Sequence, residues 1–475
     1  MSQVSQQPNI LLILLDDFGW RDTSIYGSTF YETPNVDRLA QEGMLFTDAY
    51  ASCPVCSPTR ASLMSGKYPA NVGVTNWISH HGAHPSKGRL IDASYIDHLP
   101  LSETSLASAL KDGGYATWHV GKWHLGLDPY FPDKHGFEVN IGGCEMGHPW
   151  NGYFAPWKIP TLPESEDGTY LTDRLTDDAI ELIQQKDDRP FFLNMWYYTV
   201  HTPIQAKPEL IAYYEEKARR LGLDKIDPLV RGEYFPCEHK KTGRVTRRIV
   251  QSDPAYAAMI HTMDENVGRL LRTLDETGQR DNTIVIFTSD NGGLSSAEGS
   301  PTCNAPLSEG KGWMYEGGTR EPLIVRWPGQ IEEGSRSESV VTSPDFYPTL
   351  LEAAGLPLLP EQHQDGVSFI PALKGEAQER GAVYWHYPHY SNQGCTPGSS
   401  VREGEWKLIQ FFEDGHLELY NLRHDIGEQH NLVATHPEIV KDLLTKLVDW
   451  RDRMDAKIPC INPNHIPYVD PGDPN

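Results

Sequence analysis

The chain has 475 residues, 41 of them Lys or Arg and 65 Asp or Glu, for a formal charge of −24. Apolar residues make up 39% and charged residues 22%, enough for a sizeable core, so a wholly disordered chain is excluded. The acidic balance argues against a nucleic-acid partner and against an anionic membrane surface.

In chain order, the first buried strand is expected over residues 9–15, an apolar run that stops at Asp16-Asp17. That run is far short of the roughly 18 residues of a membrane span. The first nine residues carry no Lys or Arg, unlike a signal peptide. The chain therefore reads as cytoplasmic as written, or as periplasmic or secreted if a native signal was removed. Further apolar runs at 116–120, 190–197, 283–288 and 322–326 read as strands. Helical patterns lie between them, at 34–42, 105–111, 172–185, 255–277 and 343–354. Strands alternating with helices predict an α/β fold, with a mainly parallel sheet covered on both faces. A polar stretch at 371–381 reads as a linker. Beyond it come short strands near 383–386, 400–411 and 417–420, then an amphipathic helix at 437–454. The expected organisation is a catalytic domain over 1–375 and a small α+β subdomain over 376–475, with an antiparallel sheet and a helix.

Two strands end in acidic pairs. Residues 9–15 run into Asp16-Asp17, and residues 283–288 into Asp290-Asn291-Gly292-Gly293. Ligands of open α/β sheets sit beyond the carboxyl ends of the strands. If the two strands are neighbours, three carboxylates and an amide oxygen converge. Oxygen donors suit Ca²⁺ or Mg²⁺ better than zinc. The competing reading is that these residues cap the turns that follow.

The segment Cys53-Pro54-Val55-Cys56-Ser57-Pro58-Thr59-Arg60 allows three readings. A C-x-x-C pair fits thiol–disulfide exchange. It also fits half a zinc site, although the other cysteines of the seven offer no second pair. Thirdly, Cys56-x-Pro58-x-Arg60 with Gly66 six residues beyond the Arg resembles the signature of the formylglycine-dependent sulfatases. The resemblance covers essentially the whole chain, through “PNILLILLDDFGW”, “GYATWHVGKWHLG”, “DNTIVIFTSDNGG”, “GKGWMYEGGTREPLIV” and “VREGEWKLIQFFEDGHLELYNLRHDIGEQHNL”.

The resemblance implies an alkaline-phosphatase-like α/β fold and hydrolysis of a sulfate ester by S–O cleavage. It implies Cys56 converted to formylglycine by a transient maturation enzyme, and bound Ca²⁺, with Mg²⁺ the weaker choice. One hydroxyl of the hydrated aldehyde attacks sulfur; the other later expels sulfate, a release step that a plain Ser or Cys lacks. By the same resemblance the metal ligands are Asp16, Asp17, Asp290, Asn291 and the modified Cys56. Arg60 contacts the modified residue, in the first turn of a helix if that helix begins near Pro58. Lys122 holds the aldehyde hydrate and sulfate, His124 is the base, His201 donates a proton to the leaving oxygen, and Lys311 binds sulfate. Lys122 and His124 share a face if their strand runs that far. His119 and Arg320 are expected to be structural. Thr59 stands where the family more often has Ser, and Cys53 could pair with Cys56 and block maturation.

The substrate is expected to be a sulfated carbohydrate or an aryl sulfate, most simply a chain-end galactose or N-acetylgalactosamine sulfated at O4 or O6. Rim loops at 76–89 (with Trp77, His80, His81 and His84), 144–157 and 385–395 carry ring-stacking residues. Trp77, His81, His386 and His389 are the substrate-binding candidates. The alternatives are a phosphonate or phosphodiester hydrolase on the same fold, a thiol oxidoreductase, and a non-catalytic glycan-binding protein.

Overall fold

The structure is a computed structural model that describes residues 7–79, 86–185, 187–378 and 380–467. Its main sheet contains β1 (Asn9–Leu15), β2 (Met44–Tyr50), β3 (Ala116–Gly121), β4 (Val139–Ile141), β5 (Phe191–Trp196), β6 (Thr283–Ser289), β7 (Arg320–Arg326), β8 (Ser335–Ser337) and β9 (Val341–Thr342). The spatial order is β8-β2-β7-β6-β1-β5-β3-β4, with β9 also on β2. β7 runs antiparallel to both of its neighbours, and the other pairings are parallel.

The central strand explains the layering. Side chains of a strand alternate between faces. Leu11, Ile13 and Leu15 enter one core, with α2 (Leu171–Gln184) and α3 (Pro254–Glu276). Ile10, Leu12 and Leu14 enter the other, which includes Ala61, Leu63 and Met64 of α1 (Cys56–Ser65). A strand buried on both faces has no need of polar alternation, so it reads as a continuous apolar run. Truncating one of these leucines to Ala is expected to cost about 2–5 kcal/mol. The start of α3 is fixed locally: Asp253 accepts from the Ala255 and Tyr256 amides at 3.0 and 3.1 Å, and Pro254 occupies the first turn.

A separate antiparallel sheet contains β10 (Val383–Tyr387), β11 (Gly398–Glu403), β12 (Trp406–Phe411) and β13 (Leu417–Asn421), in sequential order. The stretch expected as a strand over 400–411 is thus a hairpin, turning at Gly404 with φ +57°. Across it lies α4 (Pro437–Arg453), whose Leu443, Leu447 and Trp450 pack on Val401, Leu408 and Leu419.

Elements without a counterpart in the sequence reading include β2, the short strands β4, β8 and β9, the helix Pro208–Leu221, and the hairpin of Leu229–Tyr234 with Arg244–Arg248. The hairpin is mostly exposed and rich in Arg, so it carries little of the apolar alternation by which strands are found. Among the described residues no helix is long and apolar enough to cross a membrane.

Candidate active site

β1 and β6 are parallel neighbours with Leu15 opposite Ser289, so Asp16-Asp17 and Asp290-Asn291 emerge side by side. The ladder continues past the strand ends, the Asp290 amide donating to Leu15 O at 3.1 Å. Asp17 then turns with φ +60°, its amide donating to Asp290 Oδ1 at 3.2 Å. Asn291 Nδ2 donates to Asp17 Oδ1 at 2.8 Å. These positions sit at the carboxyl edge of the sheet, as the acidic strand ends suggested.

α1 begins at Cys56, two residues before Pro58, so Arg60 lies beyond the first turn rather than in it. Every residue of this helix is buried, and Gly66 closes it with φ +70°. A side chain at Gly66 would also meet His363, with a Cβ 2.4 Å from the His363 Cβ. The Gly of the motif is therefore needed twice over, for a left-handed backbone and for close approach. The helix start holds Cys56 at the positive end of the helix dipole. Thr59 Oγ1 donates to Cys53 O at 3.1 Å, so the methyl variant of the usual Ser is accommodated.

Arg60 is fully buried and reaches across to the strand ends. Its Nε and Nη2 both lie 2.8 Å from Asp290 Oδ2, and Nη1 donates to Lys122 O at 3.1 Å. The Trp196 ring lies 5.0 Å from the guanidinium. Lys122 Nζ donates to Asp16 Oδ2 at 2.7 Å, and Lys311 Nζ to Asp17 Oδ2 at 2.8 Å. β3 ends at Gly121, with φ +106°, and His124 has φ +60°. Turn geometry, not strand alternation, therefore aims Lys122 and His124.

Both histidines of the cluster have assignable tautomers. His124 Nε2 sits 2.6 Å from Ile78 O, which can only accept, so the proton is on Nε2 and Nδ1 carries the lone pair. That Nδ1 is buried with no hydrogen-bond partner. Burial, then Lys122, holds His124 well below the usual imidazole range, so it is neutral. His201 Nδ1 faces Thr202 O at 2.9 Å, and its Nε2 faces Lys311 Nζ, also at 2.9 Å. An ammonium can only donate, so His201 Nε2 is the acceptor and the mobile proton lies on Lys311 Nζ. Burial and Lys311 keep His201 well below its ordinary range. His201 is thus joined to Lys311 as a hydrogen-bonded pair rather than standing alone. His148, absent from the expected set, stacks parallel on His201 with ring centres 5.5 Å apart.

Burial pushes Asp16 up to about 8, Lys122 pulls it back, and Asp290 and Asp17 add to the rise. For Asp17 burial also favours the neutral acid, but Lys311, His201 and the Asn291 amide outweigh it and hold the carboxyl well below its usual range. Burial pushes the Cys56 thiol up to about 11, against the pull of Lys122 and Lys311. Cys53 is raised further by burial. Both are free, buried thiols that stay protonated at neutral pH. Exchange chemistry uses a depressed, accessible thiolate, so the C-x-x-C spacing lacks its chemical setting.

Asp16, Asp17, Cys56 and His201 bring possible ligand atoms within 4.8 Å of one another. An imidazole and a thiol would suit zinc, but His201 Nε2 is occupied by the Lys311 ammonium. Two carboxylate and amide oxygens at the strand ends are unsatisfied: Asp16 Oδ1 and Asn291 Oδ1 are buried without a hydrogen-bond partner. Such orphans cost about 1–3 kcal/mol each, and a hard cation would satisfy both. The residues present fit an oxygen-bound cation.

Beside this cluster lies a pocket of about 410 Å³ lined by Cys56, Trp77, His124, Glu145, His148, Trp150, His201, Glu298, Lys311, Asn392 and Gln393, among others. The rim loops at 76–89, 144–157 and 385–395 all reach it. The specific histidines do not. His386 is buried between Ser399 Oγ at 2.6 Å and Lys457 O at 3.0 Å, and His389 is buried against Thr75 Oγ1 at 2.9 Å. Neither lines the pocket: His386 points its ring into the subdomain sheet, while Asn392 and Gln393 supply the wall. His81 lies outside the described residues. His119 is a core side chain between Gly121 O at 3.1 Å and Asn194 Nδ2 at 3.0 Å, and Arg320 pairs with Glu316 at 2.6 Å. Glu298 had no signal in the sequence beyond its nearness to Asp290-Asn291.

A mainly parallel α/β sheet with acidic strand ends, a buried cysteine at a helix start and converging cations defines a hydrolase of anionic esters. The sulfatase family model matches residues 8–356, and a model for the C-terminal part of N-sulphoglucosamine sulphohydrolase matches 309–453; the chain belongs to the sulfatase family. It is a sulfuric ester hydrolase with the alkaline-phosphatase-like fold. Among its relatives, a sulfatase of Formosa agariphila is 32% identical over 98% of this chain and 92% of its own length. The N-acetylgalactosamine-6-sulfatase of Canis lupus familiaris is 34% identical over 80% of this chain and 69% of its own. The crystal structure of Ps i-CgsB in complex with k-i-k-neocarrahexaose superposes with a TM-score of 0.76 at 28% identity, covering 98% of this chain and 96% of that one.

Proposed function

We propose that this sulfatase removes sulfate from a sugar at a chain end, with 4- or 6-O-sulfated galactose or N-acetylgalactosamine the favoured ring and aryl sulfates accepted as well. The observation that carries this reading is the meeting of Cys56, Lys122, His124, His201 and Lys311 beside two unpartnered oxygens at one pocket. The pocket size suits a single ring, and Trp77 and Trp150 on its wall suit stacking on a sugar face. A relative named for N-acetylgalactosamine-6-sulfate and a similar structure holding an oligosaccharide support the sugar.

Cys56 acts after oxidation to formylglycine, whose hydrate supplies both the attacking hydroxyl and the one that later releases sulfate. Asp16, Asp17, Asp290, Asn291 and the modified residue would hold Ca²⁺, which lowers the pKa of the attacking hydroxyl and polarises the sulfate. Arg60, anchored on Asp290, orients residue 56. Lys122 and Lys311 face the sulfate oxygens as preorganised positive charge in a site shielded from water. The His124 Nδ1 lone pair takes a proton from the hydroxyl of residue 56, and the Lys311–His201 pair passes one to the leaving sugar oxygen. The catalytic domain is taken as 1–375, and the 376–475 subdomain contributes a wall of the cleft.

The test is turnover of 4-nitrophenyl sulfate against bis(4-nitrophenyl) phosphate, by the wild type and by Cys56→Ala. The sulfate ester is expected to be the better substrate, with its turnover lost in the variant. Preference for the diester would favour the phosphodiesterase reading. Sugar binding without turnover, by protein whose residue 56 is formylglycine, would favour a glycan-binding protein.

A further inference from the structure

We propose that Glu298 is a specificity-determining residue, and that this pocket admits a ring whose sole anionic group is the scissile sulfate while disfavouring a second sulfate or a carboxylate on the same ring. The inference rests on the sulfated-sugar reading above.

Charge is divided unevenly within the pocket. At its base stand Lys311, His124 and His201; on its wall stand the carboxylates of Glu145 and Glu298. Among the described lining residues Lys311 is the one Lys or Arg, and its ammonium is already held by Asp17 and His201. Two basic side chains of neighbouring segments are engaged elsewhere. Lys240 Nζ donates to Asn392 O at 2.8 Å, and Arg247 pairs with Glu233 at 2.7 Å and Glu309 at 2.8 Å. Among the described residues, a second anion on the ring would thus meet carboxylates, with the neighbouring Lys and Arg side chains already paired.

The backbone around Glu298 shows that its place is built. Ala297, Glu298, Gly299 and Ser300 are four consecutive left-handed residues, with φ of +59°, +49°, +92° and +45°. That conformation is disfavoured for any residue with a Cβ and persists where the surroundings impose it. Here the strand Arg244–Arg248 does so. The Ala297 amide donates to Thr246 O at 3.0 Å, Ser300 Oγ to the same oxygen at 2.8 Å, and Arg248 Nε to Ser300 O at 2.5 Å. All this support leaves Glu298 exposed, with Oε1 accepting from Gln393 Nε2 at 2.9 Å. An ordinary solvated glutamate needs no such scaffold.

A carboxylate can only accept hydrogen bonds, and charge-assisted bonds from hydroxyl or amide N–H groups are the stronger kind. Glu298 therefore rewards a ring with free hydroxyls or an N-acetyl group and penalises a second anion by like-charge repulsion, which salt screens.

The experiment compares kcat/KM for N-acetylgalactosamine 4-sulfate, the 6-sulfate and the 4,6-disulfate, at low and high salt, with wild type and Glu298→Gln. The better monosulfate is expected to exceed the disulfate by at least about tenfold at low salt, with the ratio shrinking at high salt. Glu298→Gln is expected to narrow the ratio by a similar factor. Because the wild-type ratio and its salt dependence need no variant, poor folding of the variant does not spare the proposal. Equal use of mono- and disulfate, or a ratio unmoved in a folded variant, would overturn the inference alone. If no sugar sulfate turns over while 4-nitrophenyl sulfate does, the sugar reading falls and the inference with it.

Discussion

Two buried clusters hold the same formal inventory of charge. Around the pocket stand Asp16, Asp17 and Asp290 with Arg60, Lys122 and Lys311. At the junction with the C-terminal sheet stand Asp48, Glu316 and Glu428 with Arg320, Arg402 and Lys407. The junction pairs its carboxylates with cations, Glu428 Oε1 meeting Lys407 as an ion pair without a hydrogen bond. Lys407 Nζ bridges Glu316 and Glu428 at 2.9 Å each, Arg320 Nε takes Glu316 Oε2 at 2.6 Å, and the Glu316 amide donates to Glu428 at 2.7 Å. Tyr50 and Asp48 complete it, Tyr50 donating to Glu316 and Arg402 pairing with Asp48, both at 2.7 Å. The pocket cluster does not close. Asp16 Oδ1 has no hydrogen bond and lies 3.9 Å from Arg60 Nη2, while Asn291 Oδ1 and His124 Nδ1 are also unpartnered. Buried charge alone therefore does not mark a functional site; here the pocket cluster differs in keeping two unpartnered oxygens and a histidine lone pair beside a cavity.

The largest effect separating the two is at Lys407. Lys407→Met leaves Glu428 without a cation and takes one of two from Glu316, and is expected to destabilise the chain by about 3–5 kcal/mol. Denaturant midpoints should show this, with kcat of the folded protein retained. A loss of kcat without a loss of stability would mean that the junction belongs to the chemistry.

Calcium should do the opposite. At a hundredfold excess over its Kd it should stabilise the chain by about 2.7 kcal/mol, read as a rise in Tm that EGTA reverses. The rise should persist in Lys407→Met and shrink in Asn291→Ala. Absence of any shift would remove the cation from the account.

Acid should weaken the molecule through histidines outside both clusters. Burial lowers His119 and His389 to about 3 and His135 and His386 to about 4. Unfolded, each imidazole takes a proton near 6.5, which the folded one refuses until pH 3 to 4. Stability is thus full above pH 6.5 and falls with decreasing pH, by up to about 1.4 kcal/mol per pH unit for each histidine. A stability flat from pH 7 to 4.5 would contradict this. The smallest effect is expected at Cys53, where Cys53→Ala should leave sulfate-ester turnover near wild type; its loss would revive the thiol-redox reading.

Much of the fold was legible because β1, β3, β5 and β6 are mostly apolar, fully buried runs, as burial on both faces dictates. The polar hairpin at 229–248 was not, since exposure removes the pattern. Site residues attached to strand ends or to the C-x-P-x-R motif were legible, because both sequence position and topology bear on them. Glu298 was not, because a left-handed turn without a run of glycines leaves no trace in composition. His386 and His389 misled for a related reason: a histidine in an aromatic strand looks alike whether it faces a pocket or a core. Arg60 and Asp290 belong together through a contact 230 positions apart in sequence, made where α1 packs on the sheet face that carries Ile284 and Ile286 of β6.

The central claim concerns the side chain at position 56. Mass spectrometry of its proteolytic peptide, from protein that turns over a sulfate ester, tests it directly. The account predicts the mass of CHO in place of CH₂SH. An active preparation in which Cys56 keeps its thiol, or is joined to Cys53 as a disulfide, would contradict it.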